Sequence, residues 1–260
     1  MPEIQKRDGM FTWTDLASPD PTMAKAFYGA LFDWEAEDVP AGDQGVYTLF
    51  SKGGKTVAGL GGQPESMQGM PAVWTSYVSS SNVDEVAAKV EGLGGTVTVA
   101  PMDVMDAGRM AMIQDPTGAT LGVWQAGNHA GADIFNEHGA MSWNELATRD
   151  VSTAKAFFKR LLGWAVQIGD IGGGSMYTGI FLDGDHPNGG MIQMDEKWPQ
   201  EIPPHWMTYF MVDDVDAAAA KVEELGGTVK VLPRDIPVGR FSVVSDPQGG
   251  TFTIITMAAT

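Results

Sequence analysis

The 260-residue chain carries 33 Asp plus Glu against 16 Lys plus Arg, a formal charge of −17, and contains no cysteine. That charge repels phosphate backbones and anionic lipid, disfavouring nucleic-acid and membrane-surface partners, and the missing thiols exclude disulfides, thiolate nucleophiles and cysteine metal sites. With 43% apolar and 19% charged residues, the composition is globular, long enough for one large domain or two of ordinary size.

The 33 glycines point to many tight turns between short elements. Met1–Gly9 is polar, unlike a signal peptide, and no apolar run approaches the ~20 residues that span a bilayer. A cytoplasmic location is the expectation, with a small molecule as the partner and a monomer or homodimer as the assembly.

Taken in order, the chain opens on a strand at Trp13-Thr14-Asp15-Leu16. Asp20 follows as a helix N-cap with Pro21 at the first helical position. Ala24, Phe27, Tyr28 and Leu31 then fall on one helical stripe. Strands are predicted near Val46–Ser51 and Lys55–Leu60, turning at Gly53-Gly54.

A second unit opens with the strand Val73–Ser79. Its helix, about Asp84–Leu93, turns Val86, Val90 and Leu93 inward and stops at Gly94-Gly95. Strands follow near Thr96–Ala100, Arg109–Gln114 and Thr120–Gln125, the last two joined by the turn Asp115-Pro116-Thr117-Gly118.

The whole pattern then repeats. Trp13–Trp34 and Trp143–Trp164 agree at 10 of 22 positions, and Trp74–Ala100 and Trp206–Leu232 agree at 15 of 27. Gly108-Arg109 through Gly118 returns as Gly239-Arg240 through Gly249, and Ala154, Phe157, Phe158 and Leu161 restate the first helix stripe. The chain therefore reads as two domains, 10–127 and 140–258, with the polar segment 128–139 between them. Each domain is two units of strand, helix, strand, strand, strand.

Four units in that order, with a helix carrying Phe-Tyr and a DPxG turn before the last strand, resemble the vicinal oxygen chelate superfamily. That group includes glyoxalase I, bleomycin-resistance proteins and extradiol dioxygenases. The closest likeness is to its tandem two-domain, glyoxalase-like branch, which includes a culture-filtrate antigen. The resemblance implies an α+β fold of four βαβββ modules in two tandem glyoxalase-like domains, each a curved mixed sheet around a cleft with helices outside.

In metal-dependent members His, Glu or Gln ligands come from the first and last strands of each unit. Carried over by spacing, those positions fall on Trp13 and Trp143, on Thr75 and Met207, and on Gly122 and Thr253. The remaining two lie within Thr56–Gly62 and Asn188–Met194, which offer only Gln193. A divalent metal needs three or four converging donors, so no metal ligand and no cofactor are assigned.

Strand side chains two apart share a face, which sets Asp15 beside Trp13 and Glu145 beside Trp143. Unpaired buried carboxylates are costly. Each acid is therefore either a general base or ligand acceptor, or a structural partner for Arg109, Arg240 or a backbone N–H. The arginines in turn either bind an anionic group or close the fold through ion pairs.

His205 shares a strand face with Met207. With Glu145 it could form an acid–base pair or two donors of a displaced metal in the second domain. Trp13, Trp143, Tyr77 and Tyr209 are candidate ligand walls, whereas Trp34 and Trp164, at helix ends, read as core. Gly61-Gly62 and Gly172-Gly173-Gly174 lack a phosphate-loop context and read as turns.

The leading expectation is a cleft that binds a small organic molecule against aromatic walls without the superfamily's metal. The alternatives are a glyoxalase-type lyase or isomerase using Asp15 or Glu145 as base, and a non-catalytic interaction protein.

Overall fold

A computed structural model describes residues 6–42, 45–170 and 176–258. The element order is β1 (Phe11–Ser18), α1 (Pro21–Phe32), β2 (Glu35–Pro40), β3 (Val46–Lys52), β4 (Lys55–Gly62), β5 (Val73–Ser79), α2 (Val83–Val90), β6 (Thr96–Val104), β7 (Gly108–Gln114) and β8 (Thr120–Ala126). It then repeats as β9 (Met141–Thr148), α3 (Val151–Leu162), β10 (Ala165–Asp170), β11 (Met176–Leu182), β12 (His186–Gln193), β13 (His205–Met211), α4 (Val215–Glu224), β14 (Thr228–Ile236), β15 (Gly239–Ser245) and β16 (Thr251–Met257). These are four βαβββ modules, arranged as two tandem domains of α+β type. Each half has a mixed eight-stranded sheet, ordered β2-β3-β4-β1-β5-β8-β7-β6 and β10-β11-β12-β9-β13-β16-β15-β14. Among the described residues no helix is long and apolar enough to cross a membrane.

Local chemistry sets the helix ends. Asp20 accepts from the Thr22 and Met23 amides at 3.0 and 3.1 Å, and Pro21 begins the helix without an orphaned N–H. Asp150, Asn82 and Asp214 cap the other three helices in the same way. Gly163 ends α3 in the left-handed region at φ 73°, where Asp33 ends α1 at φ 58°.

Two expectations need correction, and one strand is added. The second helix is α-helical only over Val83–Val90 and tightens into a 3-10 turn at Glu91–Leu93. Val83, Ala87 and Val90 are therefore its buried residues, while Leu93 is carried partly out of the stripe by the three-residue turn. Gly61-Gly62 is not a turn but the end of β4; the Gly172–Gly174 reading lies outside the described residues. Finally, β2 fills the strand left unplaced after α1. Its residues Glu35–Asp38 are all exposed, so no buried alternation announces it, and its acids suit a sheet edge.

Packing gathers the chain into two compact units, each taking one module from either half. One holds the chain up to Thr12, Ser76–Ala130 and Trp143–Met207; the other holds Trp13–Thr75, Gly131–Ser142 and the chain from Thr208. In the second unit, α1 buries Phe27, Tyr28 and Phe32 among Trp34, Phe50, Trp74, Phe210 and Phe252, with ring centroids 4.9–6.3 Å apart. In the first, α3 buries Phe158 against Trp164 and Trp206 at 5.0 and 5.6 Å. Trp34 and Trp164 sit in these cores, each indole donating to a backbone carbonyl, of Gly139 and Gly9 respectively.

Candidate functional site

Each unit builds the same three-residue constellation. In the second unit, β1 projects Trp13 and Asp15 from one face, and β3 brings in Tyr47. The Trp13 Nε1–H donates to Tyr47 Oη at 3.1 Å, and the Tyr47 hydroxyl donates to Asp15 Oδ2 at 3.1 Å. In the first unit, β9 and β11 repeat this. Trp143 Nε1 donates to Tyr177 Oη at 2.8 Å, and the Tyr177 hydroxyl bonds Glu145. Burial, and then the neighbouring Glu145 charge, push the Tyr177 phenol well above its ordinary value, with the Trp143 donation pulling the other way. The tyrosine therefore stays protonated and can act as donor to the acid.

Glycine makes room for these tyrosines. Asp15 pairs with Gly59 on the parallel neighbour β4, and Tyr47 on β3 pairs antiparallel with Gly61 of the same β4. The Tyr47 ring leans from Gly61 across Gly59, its same-face neighbour two residues away. A Cβ at Gly59 would land on the Tyr47 hydroxyl and ring, and 3.0 Å from the Trp13 indole.

Gly190, paired with Glu145, lies under Tyr177 in the same way, and Gly122, paired with Tyr77, lies under the Tyr77 ring. None of the three has positive φ; what glycine supplies is space, not backbone freedom. The fourth such pairing, Tyr209 with Thr253, breaks the pattern. Thr253 is fully buried, and its Oγ1 has no hydrogen-bond partner among the described residues.

The other candidate residues fall elsewhere. Arg109 is held by both oxygens of Asp84 at 2.7 and 2.9 Å and by Asp103 at 2.8 Å. Arg240 is held by Asp216 at 2.7 and 2.9 Å and by Asp235 at 2.9 Å. These partners raise both guanidinium pKa values further and hold Asp84 and Asp216 below the usual carboxylate range. His205 is half-buried, and its Nδ1 donates to the Pro203 carbonyl at 2.8 Å. Burial lowers its pKa and favours the neutral ring.

Tyr47 and Tyr177, which sequence reasoning leaves out of the candidate site, are joined to its acids in the structure. The glycine seats that place them depend on strand register.

The residues present do not fit a divalent metal. Among the described residues no group of three or more His, Cys, Asp or Glu converges. Trp13, Trp143, Thr75, Met207, Gly122 and Thr253, the positions that the resemblance assigns to metal donors by spacing, include no His, Asp or Glu. At Gly122, as at Gly59 and Gly190, a tyrosine ring fills the space that a longer side chain would need.

The chain matches the Glyoxalase/Bleomycin resistance protein/Dioxygenase superfamily over residues 11–123 and 140–254. It is 42% identical over 255 residues to CFP32 of Mycobacterium bovis, which carries the name glyoxylase, covering 97% of this chain and 96% of that protein. It is 36% identical over 261 residues to the anthracycline biosynthesis protein DauV of Streptomyces sp. strain C5, covering 96% and 94%. The Mn(II)-bound glyoxalase of Novosphingobium aromaticivorans shares the fold, with a TM-score of 0.65 at 18% identity over 97% of this chain and 83% of that one. On the matched domains and the full-length relatives together, this chain belongs to the glyoxalase, bleomycin-resistance and dioxygenase superfamily.

Proposed function

We propose that the protein binds a small organic molecule with an extended aromatic face at its two Trp–Tyr–acid sites, and that it does so without the superfamily's metal. The observation that carries this reading is the tyrosine laid across a glycine with its hydroxyl fixed between an indole and a carboxylate. A flat, rigid aromatic floor with a few fixed polar groups is the composition of a small-molecule site. The full-length likeness to a protein of anthracycline biosynthesis supports a polycyclic aromatic ligand.

A second reading keeps the same residues in a catalytic role. The Tyr47 hydroxyl orients Asp15, and Tyr177 orients Glu145, as a base is held by a neighbouring group. A lyase or isomerase drawing a proton onto either acid is the enzymatic form of this site.

Thermal denaturation of chelator-treated protein against polycyclic aromatic compounds tests the first reading. The expected result is a stabilisation that rises with ligand concentration and does not change when metal is added back. Stoichiometric Ni, Zn or Fe in the purified protein, together with turnover of a methylglyoxal–thiol adduct, would replace the proposal with ordinary glyoxalase chemistry.

A further inference from the structure

We propose that one face of β14, β15 and β16 in the second unit binds a small apolar molecule by its carboxylate. Arg234 is the group that meets the anion, and Phe241, Ile255 and Met257 are the apolar bed. None of these residues belongs to a Trp–Tyr–acid constellation, and the site does not depend on the reading given to those.

Strand alternation sorts the charges. Arg240 bonds Asp216 of α4 and Asp235 of β14 at 2.7–2.9 Å, which sets that cross-strand pair on the helix side of the sheet. The adjacent pair in the same ladder, Arg234 and Phe241, points the other way. There the Arg234 guanidinium carbon stands 4.8 Å from the Phe241 ring centroid.

Arg234 is exposed, and among the described residues no carboxylate or carbonyl holds it. Arg109 and Arg240, by contrast, each take two aspartates. Stacking on a ring covers one side of a guanidinium, narrows its rotamers and leaves the N–H fork facing outward. Such a fork matches a carboxylate with two parallel hydrogen bonds. The formal charge of −17 opposes anions at long range, so an anion that binds needs a local cation of this kind.

The surroundings select an apolar carrier for that anion. Phe241 pairs with Ile255, and Met257, two residues further along the same face, is 48% exposed. Val238, in the turn between β14 and β15, is 53% exposed. Exposed apolar side chains grouped around an unpaired cation suit an amphipathic anion better than a bare inorganic one.

The repeat shows that the fold does not require this arginine. Pro101-Met102-Asp103 corresponds to Pro233-Arg234-Asp235, and Met102 pairs with Met110 as Arg234 pairs with Phe241. Asp103 keeps the ion pair to Arg109. The first unit thus retains the structural aspartate and carries a thioether in place of the cation.

Isothermal titration of the whole chain with 2-naphthoate and 2-naphthamide tests the proposal. The naphthoate should bind at least about tenfold more tightly than the amide, and added salt should weaken it. Arg234→Met, which installs the first unit's residue, should abolish the difference while leaving the urea unfolding midpoint nearly unchanged. The Tyr47→Phe/Tyr177→Phe variant should keep the difference.

Absence of naphthoate binding, equal binding of the two probes, or a naphthoate advantage that survives Arg234→Met would overturn the proposal. So would loss of that advantage in the tyrosine variant, because the anion would then be held at the constellations.

Discussion

The two compact units differ most instructively behind their helices. In the second unit a buried polar chain runs from the Trp74 indole to the Tyr28 hydroxyl at 2.9 Å and on to Asp246 Oδ2 at 2.9 Å. In the first unit Trp206 and Asp115 hold the matching places, but Phe158 stands where Tyr28 would be. Its ring keeps the edge-on contact with Trp206, centroids 5.6 Å apart, against 5.2 Å for Tyr28 and Trp74. Without the hydroxyl, Trp206 Nε1 and Asp115 Oδ2 are buried with no partner among the described residues.

One core therefore closes its polar chain, and the other relies on aromatic packing while carrying the desolvation cost of two orphaned groups. The Trp–Tyr–acid triads, by contrast, keep their hydroxyls in both units. A missing hydroxyl is tolerated in a core that packing alone can hold; at the triads it positions an acid.

The largest effect is expected from removing the space beneath a tyrosine. Gly59→Val or Gly190→Val forces branched carbons into the Tyr47 or Tyr177 ring and breaks the hydrogen-bonded triad. Each should cost about 3 kcal/mol, the upper part of the range for overpacking, in urea unfolding. A near-zero cost would mean that the ring is not confined.

Converting the second unit into the first comes next. Tyr28→Phe strands Trp74 Nε1 and Asp246 Oδ2 and should cost about 2 kcal/mol. The reverse change, Phe158→Tyr, should stabilise by about 1 kcal/mol as the new hydroxyl meets Trp206 and Asp115. If both changes destabilise equally, the two cores are not equivalent in geometry and the comparison breaks.

A smaller effect concerns pH. Burial raises the carboxyl pKa of Asp115 and of Asp246, and the Tyr28 hydrogen bond draws Asp246 back down. A carboxyl raised in the folded state favours folding most below its unfolded value, near pH 4. That contribution is lost as pH rises from there through the raised folded value, because the unfolded chain ionises first. Asp115→Asn should flatten this part of the stability–pH curve, while Tyr28→Phe should steepen it by raising Asp246 further. Chemical denaturation between pH 4 and 8 distinguishes the two slopes.

The repeated modules, their helix stripes and their caps were legible because those signals are local. Asp20-Pro21, Phe27-Tyr28 and the DPxG turns lie within a few residues of what they specify. The site was only half legible. Trp13 with Asp15, and Trp143 with Glu145, could be set on a common face from strand alternation alone. Tyr47 could not be joined to them, because its place depends on the register that pairs it with Gly61 and leans it across Gly59.

A Gly-rich strand end such as Gly61-Gly62 reads as a turn until its neighbour is known. The Tyr28–Asp246 bond was out of reach for a simpler reason, since its partners are 218 residues apart in sequence.

The proposed ligand site is formed by tyrosine-anchored acids rather than by a metal. Titration of the chelator-treated chain with 2-(hydroxymethyl)anthraquinone, alongside the Tyr47→Phe/Tyr177→Phe variant, tests this most directly. Saturable binding to the metal-free chain is expected, weakened about tenfold or more in the variant, as befits the loss of the groups that fix each acid. Binding that appears only when Mn, Ni or Zn is restored, or that ignores the loss of both tyrosine hydroxyls, would contradict it.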